Sequence, residues 1–515
     1  MKMPKKRTTA QRRAMQAAKR NSAKSKQGCK HPARNEAGKM REKSAIGAKA
    51  RDDHGTPAAR LKSCPDVSGT SRSSSGVNSQ TAASRPVEPQ VVEIEKAVYG
   101  GASLARLEGK AVFVPLTLPG ERVRVRITQS KPGYATAEVE EIVRTARERI
   151  APACQHFGAC GGCHYQHTDY ASQLAFKKAI LRETLERGGA DVPMEIGVLS
   201  GEPFGYRNRI RLAFDAAGNP GYRGRRSHAV VPVRECPIAA PLLIKAARVF
   251  AEVVRDFAPT LRPAEISLFC DPTESTLLAS VFATSAAKPR FDELAHEVHD
   301  RLPAVAGAEL VIESQAGQQS HTIAQWGSNS LIYRAAGFDY RVDHGAFFQV
   351  NRWLVDSLVE RVTAEYKGKL AWDLFAGVGL FARRLTAKFD RVIAVESAPT
   401  ATAALEANLR GTGGTAVTSE TLAFLRGGGK STHPRFVRPD LVVVDPPRTG
   451  LGAESCALLA EIAAPTIVCV SCDPATLARD LRMLSGSGYR IESITLADLF
   501  PQTFHLETVV QLVRA

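Results

Sequence analysis

Four short apolar runs in the last third of the chain restrict its fold more than any other feature. They are L-A-W-D-L-F, running into Ala376-Gly377-Val378-Gly379; R-V-I-A-V-E, ending at Glu396; D-L-V-V-V-D, ending at Asp445-Pro446-Pro447; and I-V-C-V-S-C, ending at Cys472-Asp473-Pro474. Runs of this length, rich in β-branched residues and apolar on both alternating faces, suit strands buried inside a parallel sheet. Pro474 cannot donate to a sheet ladder, so the last of these strands should stop near Ser471. Helical periodicity separates the runs, with helices predicted over 352–366 (capped by Asn351), 399–410 and 452–463, and the chain closes on two further strands, Y-R-I-E-S-I-T-L-A-D and T-V-V-Q-L-V. Alternation of this kind predicts a doubly wound, Rossmann-like α/β domain over residues 344–515. Such sheets bind ligands beyond the carboxyl ends of their strands, where Gly377, Gly379, Glu396, Asp445 and Cys472 would gather.

Each of these residues suggests a role by its type. Glycines between a strand and a helix let backbone approach a nucleotide, and a carboxylate ending the next strand accepts hydrogen bonds from ribose hydroxyls. Glu396, 19 residues after Gly377, fits that role, but the loop alone admits NAD as well as S-adenosylmethionine (SAM). Asp445-Pro446-Pro447-Arg448 decides for SAM: two prolines stiffen the backbone around a carboxylate at the sheet edge, which a dehydrogenase does not need. A free cysteine is most often a small buried hydrophobe, and Cys469 in mid-strand reads that way. Cys472, at a strand end beside a cofactor edge, is placed differently, and its role is left to the rest of the chain.

Upstream, the chain changes character three times. The formal charge of +17 sits at one end, because residues 1–85 hold 21 of the 69 Lys and Arg but five of the 52 Asp and Glu. Residues 1–88, poor in aromatic and β-branched residues, read as a disordered basic tail: a solubilising segment, an RNA tether, or, least in keeping with its lack of an apolar face, a transit peptide. Residues 89–147 hold five short, partly alternating runs divided by Gly100-Gly101, Gly109, Pro119-Gly120 and Pro132-Gly133, which predicts a small OB-like β-barrel with Arg122, Arg124 and Arg126 on one, RNA-contacting face. Residues 148–343 form a central α/β domain. It carries Cys154-x5-Cys160-x2-Cys163 and, much later, Cys236-Pro237, four thiolates that suit zinc or an iron–sulfur cluster; the lone fourth cysteine followed by proline favours [4Fe-4S]. A helix is expected over Leu174–Arg187, and Tyr206-Arg-Asn-Arg-Ile-Arg and Gly221-Tyr-Arg-Gly-Arg-Arg mix arginines with aromatics in a way that suits RNA. No apolar run is long enough for a membrane span, no apolar leader opens the chain, and its ten cysteines are sparse, so a cytoplasmic protein is expected.

Together, Phe348-Gln349-Val350-Asn351, D-L-F-A-G-V-G, D-P-P-R-T-G, S-C-D-P-A-T-L-A-R-D-L and F-P-Q-T-F-H-L-E, ending at Glu507, resemble the RNA (uracil-5-)-methyltransferases. Tyr99-Gly100-Gly101 and Leu118-Pro119-Gly120-Glu121 resemble a TRAM domain, and with the four cysteines the chain is most similar to the 23S ribosomal RNA branch. The resemblance implies SAM contacts at Gln349, Phe375, Glu396 and Asp445, a nucleophile at Cys472, a base at Glu507, a [4Fe-4S] cluster on Cys154, Cys160, Cys163 and Cys236, ribosomal RNA as substrate, and a monomer. Transfer RNA is the alternative substrate; from another class, an iron–sulfur RNA-binding or redox protein with a vestigial methyltransferase domain is the rival. The chain departs from the family pattern at Asp473, where asparagine is usual and a carboxylate would oppose thiolate formation, and at Ala376 and Leu380 in the glycine loop.

Overall fold

The computed structural model describes residues 89–257, 263–283, 288–312, 321–363, 365–427 and 438–515; the expected basic tail, residues 1–88, lies outside them. Strands Gln90–Ala97, Ala102–Leu107, Lys110–Pro115, Arg122–Ser130 and Tyr134–Arg144 close into a barrel. Alternate positions fill its interior: Val92, Ile94, Val112, Val114, Val123, Val125, Ala135 and Ala137 are all buried, the period-two pattern that closes a small barrel around side chains. The outward arginines find partners in their own sheet. Arg124 pairs with Glu141, and Arg126 lies 2.9 Å from Glu138 and 3.2 Å from Glu140. Two of the three arginines on this face, Arg124 and Arg126, are thus ion-paired within the barrel's own sheet.

The central region builds a mixed sheet in the order His321–Gly327, Val305–Ile312, Leu277–Ala283, Pro263–Cys270, Arg209–Phe214, Pro220–Arg223 and Val230–Pro232. Helices Pro241–Phe257 and Lys288–Arg301 share its core. The predicted helix begins at Tyr170, ahead of Leu174, because Asp169 Oδ1 accepts the Ser172 N–H at 2.8 Å and caps the first turn.

The C-terminal sheet runs Gly414–Thr418, Phe389–Glu396, Gly368–Leu374, Leu441–Val444, Thr466–Ser471, Glu507–Arg514, Tyr489–Ala497 and Gly197–Leu199. The first five strands are mutually parallel, whereas Glu507–Arg514 pairs antiparallel with both neighbours. A reversed strand begins where the others end, so its first residue stands at the carboxyl edge of the sheet. The two outermost strands were not anticipated; one is rich in glycine and threonine and the other is three residues long, too short for periodicity to register. Among the described residues no helix is long and apolar enough to cross a membrane.

Candidate active site

The glycine loop leaves the end of Gly368–Leu374 in a conformation that few residues adopt: φ is 64° at Phe375, 56° at Gly377 and 89° at Gly379. A Cβ at position 379 would lie 2.7 Å from Leu405 Cδ1, while one at 377 would meet nothing within 4 Å. Gly379 is thus required by packing and dihedral, Gly377 by dihedral, and the space above Gly377 is open. Glu396 frames that space: its Oε2 accepts the Gly377 N–H at 2.8 Å, and its Oε1 accepts those of Ser397 and Ala398, both at 2.7 Å. A carboxylate offers about four lone-pair directions, so capacity remains for ribose hydroxyls. Asp445 follows Leu441–Val444, its N–H donating to Leu374 O at 3.3 Å, which ties the two strand ends together. Beneath them lies Asp373, fully buried, with Oδ2 accepting the Ala382 N–H at 2.7 Å. Burial, joined by the charges of Asp445 and Glu396, pushes its carboxyl up to about 8. It is a neutral acid at the centre of the edge.

Cys472 follows the strand Thr466–Ser471 directly and is 9% exposed. Ser471 pairs with Thr508 in the antiparallel ladder, so the next step of that register sets Cys472 opposite Glu507. Glu507, 4% exposed, is the first residue of the reversed strand. The backbone positions of Cys472 and Glu507 therefore neighbour each other at the carboxyl edge, the edge from which the glycine loop also leaves. Asp473 caps the helix Pro474–Ser485, its Oδ1 accepting from Ala475 N at 3.0 Å and Thr476 N at 3.1 Å. Behind them, Arg448 Nη2 lies 3.1 Å from His505 Nδ1. A guanidinium only donates, so Nδ1 accepts and the imidazole is neutral with its proton on Nε2; burial and then Arg448 push its pKa down to about 2.

With this geometry in place, the likeness to known proteins becomes informative. A family model described as tRNA (Uracil-5-)-methyltransferase matches residues 435–515, and one described as TRAM domain matches residues 84–139. A protein of Streptomyces avermitilis described as an uncharacterized RNA methyltransferase is 32% identical over 451 residues, covering 82% of this chain and 98% of its own length. A 23S rRNA (uracil(1939)-C(5))-methyltransferase RlmD of Chromohalobacter salexigens is 31% identical over 443 residues, covering 82% of this chain and 89% of its own. The chain belongs to the RNA (uracil-5-)-methyltransferase family. Its fold is also that of the Pyrococcus abyssi tRNA (uracil-54, C5)-methyltransferase solved with S-adenosyl-L-homocysteine, at a TM-score of 0.66 and 23% identity over 82% of this chain and all of that one.

In this RNA (uracil-5-)-methyltransferase, the segment leading into Glu507 is held by the central region and its neighbours. Lys177 Nζ, fully buried, reaches Asp498 Oδ1 at 2.5 Å and Phe500 O at 2.9 Å. Asn351 Nδ2 donates to Leu499 O at 3.2 Å, Tyr206 Oη to Pro501 O at 3.0 Å, and the N–H groups of His164 and Tyr165 to Gln502 O at 2.8 and 3.0 Å. Gln502 itself is left-handed, at φ 68°, and exchanges hydrogen bonds with the Gln173 side chain, both at 3.0 Å. The sequence reading missed Lys177; its signal was a lysine on the buried stripe Gln173–Lys177–Leu181 of an amphipathic helix. It also passed over Asp373, a lone acid inside an otherwise apolar strand.

Gln349 is 6% exposed, and its backbone carbonyl accepts Asn208 Nδ2 of the central sheet at 2.9 Å. Of the RNA-like motif, Tyr206 and Asn208 are buried framework, and Arg209 lies 4.2 Å over the Phe269 ring. The cysteines lie near one another: Cys160 bridges to Gly224, Cys236 Sγ is 3.9 Å from Tyr222 Oη, and burial pushes the Cys163 thiol up to about 12, with Cys236 and Cys160 adding to the rise. Yet among the described residues no three Cys, His or carboxylate groups converge as a metal ion requires. A four-cysteine metal site was expected; what is present is four partly buried free thiols, Cys154, Cys160 and Cys163 on the loop whose next residues hold Gln502, and Cys236 after the strand Val230–Pro232.

Proposed function

We propose that this enzyme forms 5-methyluridine in 23S ribosomal RNA with SAM as methyl donor, through a covalent bond between Cys472 and the uracil ring. One observation supports the reading: the Ser471–Thr508 pairing, whose next register step puts the backbone of Cys472 beside that of Glu507 at the carboxyl edge of the sheet. Uracil C5 is a poor nucleophile, and addition of a thiolate to C6 remedies this. The S–C6 bond forms as the C5–C6 π pair moves toward O4, giving an enolate. C5 then attacks the SAM methyl carbon, and the carbon–sulfonium bond breaks with its pair on sulfur, releasing S-adenosylhomocysteine. Glu507 takes the C5 proton, the freed pair restores the C5–C6 double bond, and the C6–S bond breaks to return the thiolate. The uridine must leave its stack to reach the thiol, at a cost of a few kcal/mol.

The donor would lie over Gly377 and Gly379, with Phe375, Glu396, Asp445 and, from across the cleft, Gln349 around it. The division into a barrel (89–147), a central domain (148–343) and a methyltransferase domain (344–515), acting as a cytoplasmic monomer, belongs to the same proposal. Cys154, Cys160, Cys163 and Cys236 would hold a [4Fe-4S] cluster, for which four thiols, three on one loop and the fourth after the strand Val230–Pro232, are a fitting donor set once they draw together. Such a cluster, held by those four residues, would supply a closed structural anchor. Iron content and a broad absorbance near ~400 nm after anaerobic purification test it.

The choice of 23S over transfer RNA rests on relatives such as the RlmD enzymes of Chromohalobacter salexigens and Halomonas elongata, each at least 30% identical. Transfer RNA is the second reading, favoured by the whole-length match of the Pyrococcus abyssi fold. Incubation with RNA carrying [5-³H]uridine measures the reaction directly, because methylation at C5 expels tritium. We expect release from 23S rRNA that disappears in Cys472→Ala. Full release from that variant would sink the mechanism, and release from transfer RNA alone would reverse the substrate.

A further inference from the structure

We propose that Tyr99, supplied by the barrel, is a positioning residue for the nucleophile: its hydroxyl ties down the Asp473 carboxylate beside Cys472 and so permits the thiol to ionise. The inference rests on Cys472 being the nucleophile. Asp473 follows Cys472 directly, and an unmoderated carboxylate there opposes a thiolate. In the structure its Oδ1 is committed to two helix N–H groups, Ala475 and Thr476, and its Oδ2 lies 3.4 Å from the Tyr99 hydroxyl. Burial first, and then the Asp473 charge, raises the phenol well above its ordinary range, so Tyr99 remains a donor. The titratable and charged groups at this corner are Asp473 and Cys472 themselves, Arg448 from the turn after Leu441–Val444, and neutral His505, which Arg448 contacts at 3.1 Å.

The barrel is shaped to deliver this hydroxyl. Tyr99 sits at the mouth of a turn made by Gly100 and Gly101, with φ of 101° and 84°. A Cβ on Gly101 would approach His164 to 2.7 Å, so the turn can seat only with glycine there. The Tyr99 ring meets Phe504 edge-on at 5.6 Å, and Phe504 in turn meets His164 at 4.7 Å and His505 at 4.3 Å. One aromatic contact thus joins the barrel turn, the cysteine loop and the segment bearing Glu507. A barrel that served only as an RNA handle would have no reason to place a donor beside Cys472.

The test is the pH dependence of covalent capture of 5-fluorouridine RNA in single turnover with SAM, where fluorine at C5 blocks the final elimination. Tyr99→Phe keeps the ring and its Phe504 contact and removes only the hydroxyl. Its capture profile should move up by about half a unit to one unit, or roughly 3- to 10-fold slower capture on the acidic limb, given the modest strength of a long hydrogen bond to a charged group. Asp473→Asn should move the profile down, and adding Tyr99→Phe to it should produce no further shift. An unshifted Tyr99→Phe profile, or the same shift in both backgrounds, overturns the proposal. Absence of capture by the wild-type enzyme instead overturns the nucleophile assignment on which it rests.

Discussion

Replacing Lys177 by Met offers the sharpest check on how the catalytic edge is held together. Lys177 and Asp498 form an ion pair in which both side chains are fully buried, and Lys177 also donates to Phe500 O. Burial drives the lysine pKa down, with Asp498 opposing that shift. Removing the cation strands a carboxylate in the interior, which costs about 3–5 kcal/mol, whereas replacing both partners by apolar residues is near neutral. Lys177→Met should therefore lower stability by about 3–5 kcal/mol in urea unfolding at pH 8, and acid, by protonating the stranded carboxylate, should recover part of the loss. Lys177→Met with Asp498→Leu should return to within about 1 kcal/mol of wild type. Tritium release, by contrast, should stay depressed in both variants, because the Phe500 carbonyl has lost its lysine in each. The reasoning fails if the single variant loses less than about 1 kcal/mol or if the double variant is no more stable than the single one.

Three further perturbations probe the edge itself. Glu507→Gln should still add Cys472 and transfer the methyl group but remove the C5 proton slowly, so a denaturant-resistant protein–RNA adduct should accumulate on gels as turnover falls by 10²-fold or more, on the order expected for a general base. Asp373→Asn should become more stable than wild type as pH rises. The folded carboxyl holds its proton up to about pH 8, the unfolded one ionises above about 4, and wild-type stability falls across that window by an order of a few kcal/mol that asparagine does not lose; melting curves at pH 5 and pH 8 read the difference. Gly379→Ala, forced into φ 89° and against Leu405, should cost about 1–3 kcal/mol and weaken SAM binding in calorimetry.

Much of the methyltransferase sheet was legible because its strands are apolar on both faces and end in residues that cannot continue them. The Pro474 argument places the end of the strand at Ser471, where it is found. The barrel was legible for the same reason of period: Val123 and Val125 point inward between outward arginines. What escaped notice depends on pairing across the fold. Nothing in R-V-R-V-R-I says that Arg124 and Arg126 will meet Glu141 and Glu138 on the adjacent strand. Nothing local in the helix Tyr170–Arg187 says that Lys177 will meet a carboxylate over 300 positions later. Cys472 and Glu507 could be named from motif, but the adjacency of their backbone positions follows from one strand running backwards, a property of topology that neither segment encodes alone.

That reversal also bears on the strained backbone at Gln502. A reversed last strand can place a carboxylate opposite the nucleophile only if the chain re-enters the sheet at its carboxyl edge, after a tight excursion from Asp498 to Leu506. The excursion passes through a left-handed glutamine, Gln502, just as the cofactor side passes through a left-handed phenylalanine, Phe375. Each costs roughly 1–3 kcal/mol and persists only where its surroundings overdetermine it. For Gln502 those surroundings are explicit: two N–H groups on its carbonyl, a reciprocal pair with Gln173, and buried anchors on the carbonyls of Leu499, Phe500 and Pro501. Nearly all of these anchors come from outside the C-terminal run of strands and helices. The central region is therefore part of the catalytic apparatus in a physical sense. A C-terminal fragment beginning at residue 344 would keep Asn351 but lose Lys177, Gln173, Tyr206, the His164–Tyr165 amides and the edge strand Gly197–Leu199, so it should retain the other seven strands yet release the segment that leads into Glu507, and hydrogen exchange at residues 499–506 would rise accordingly.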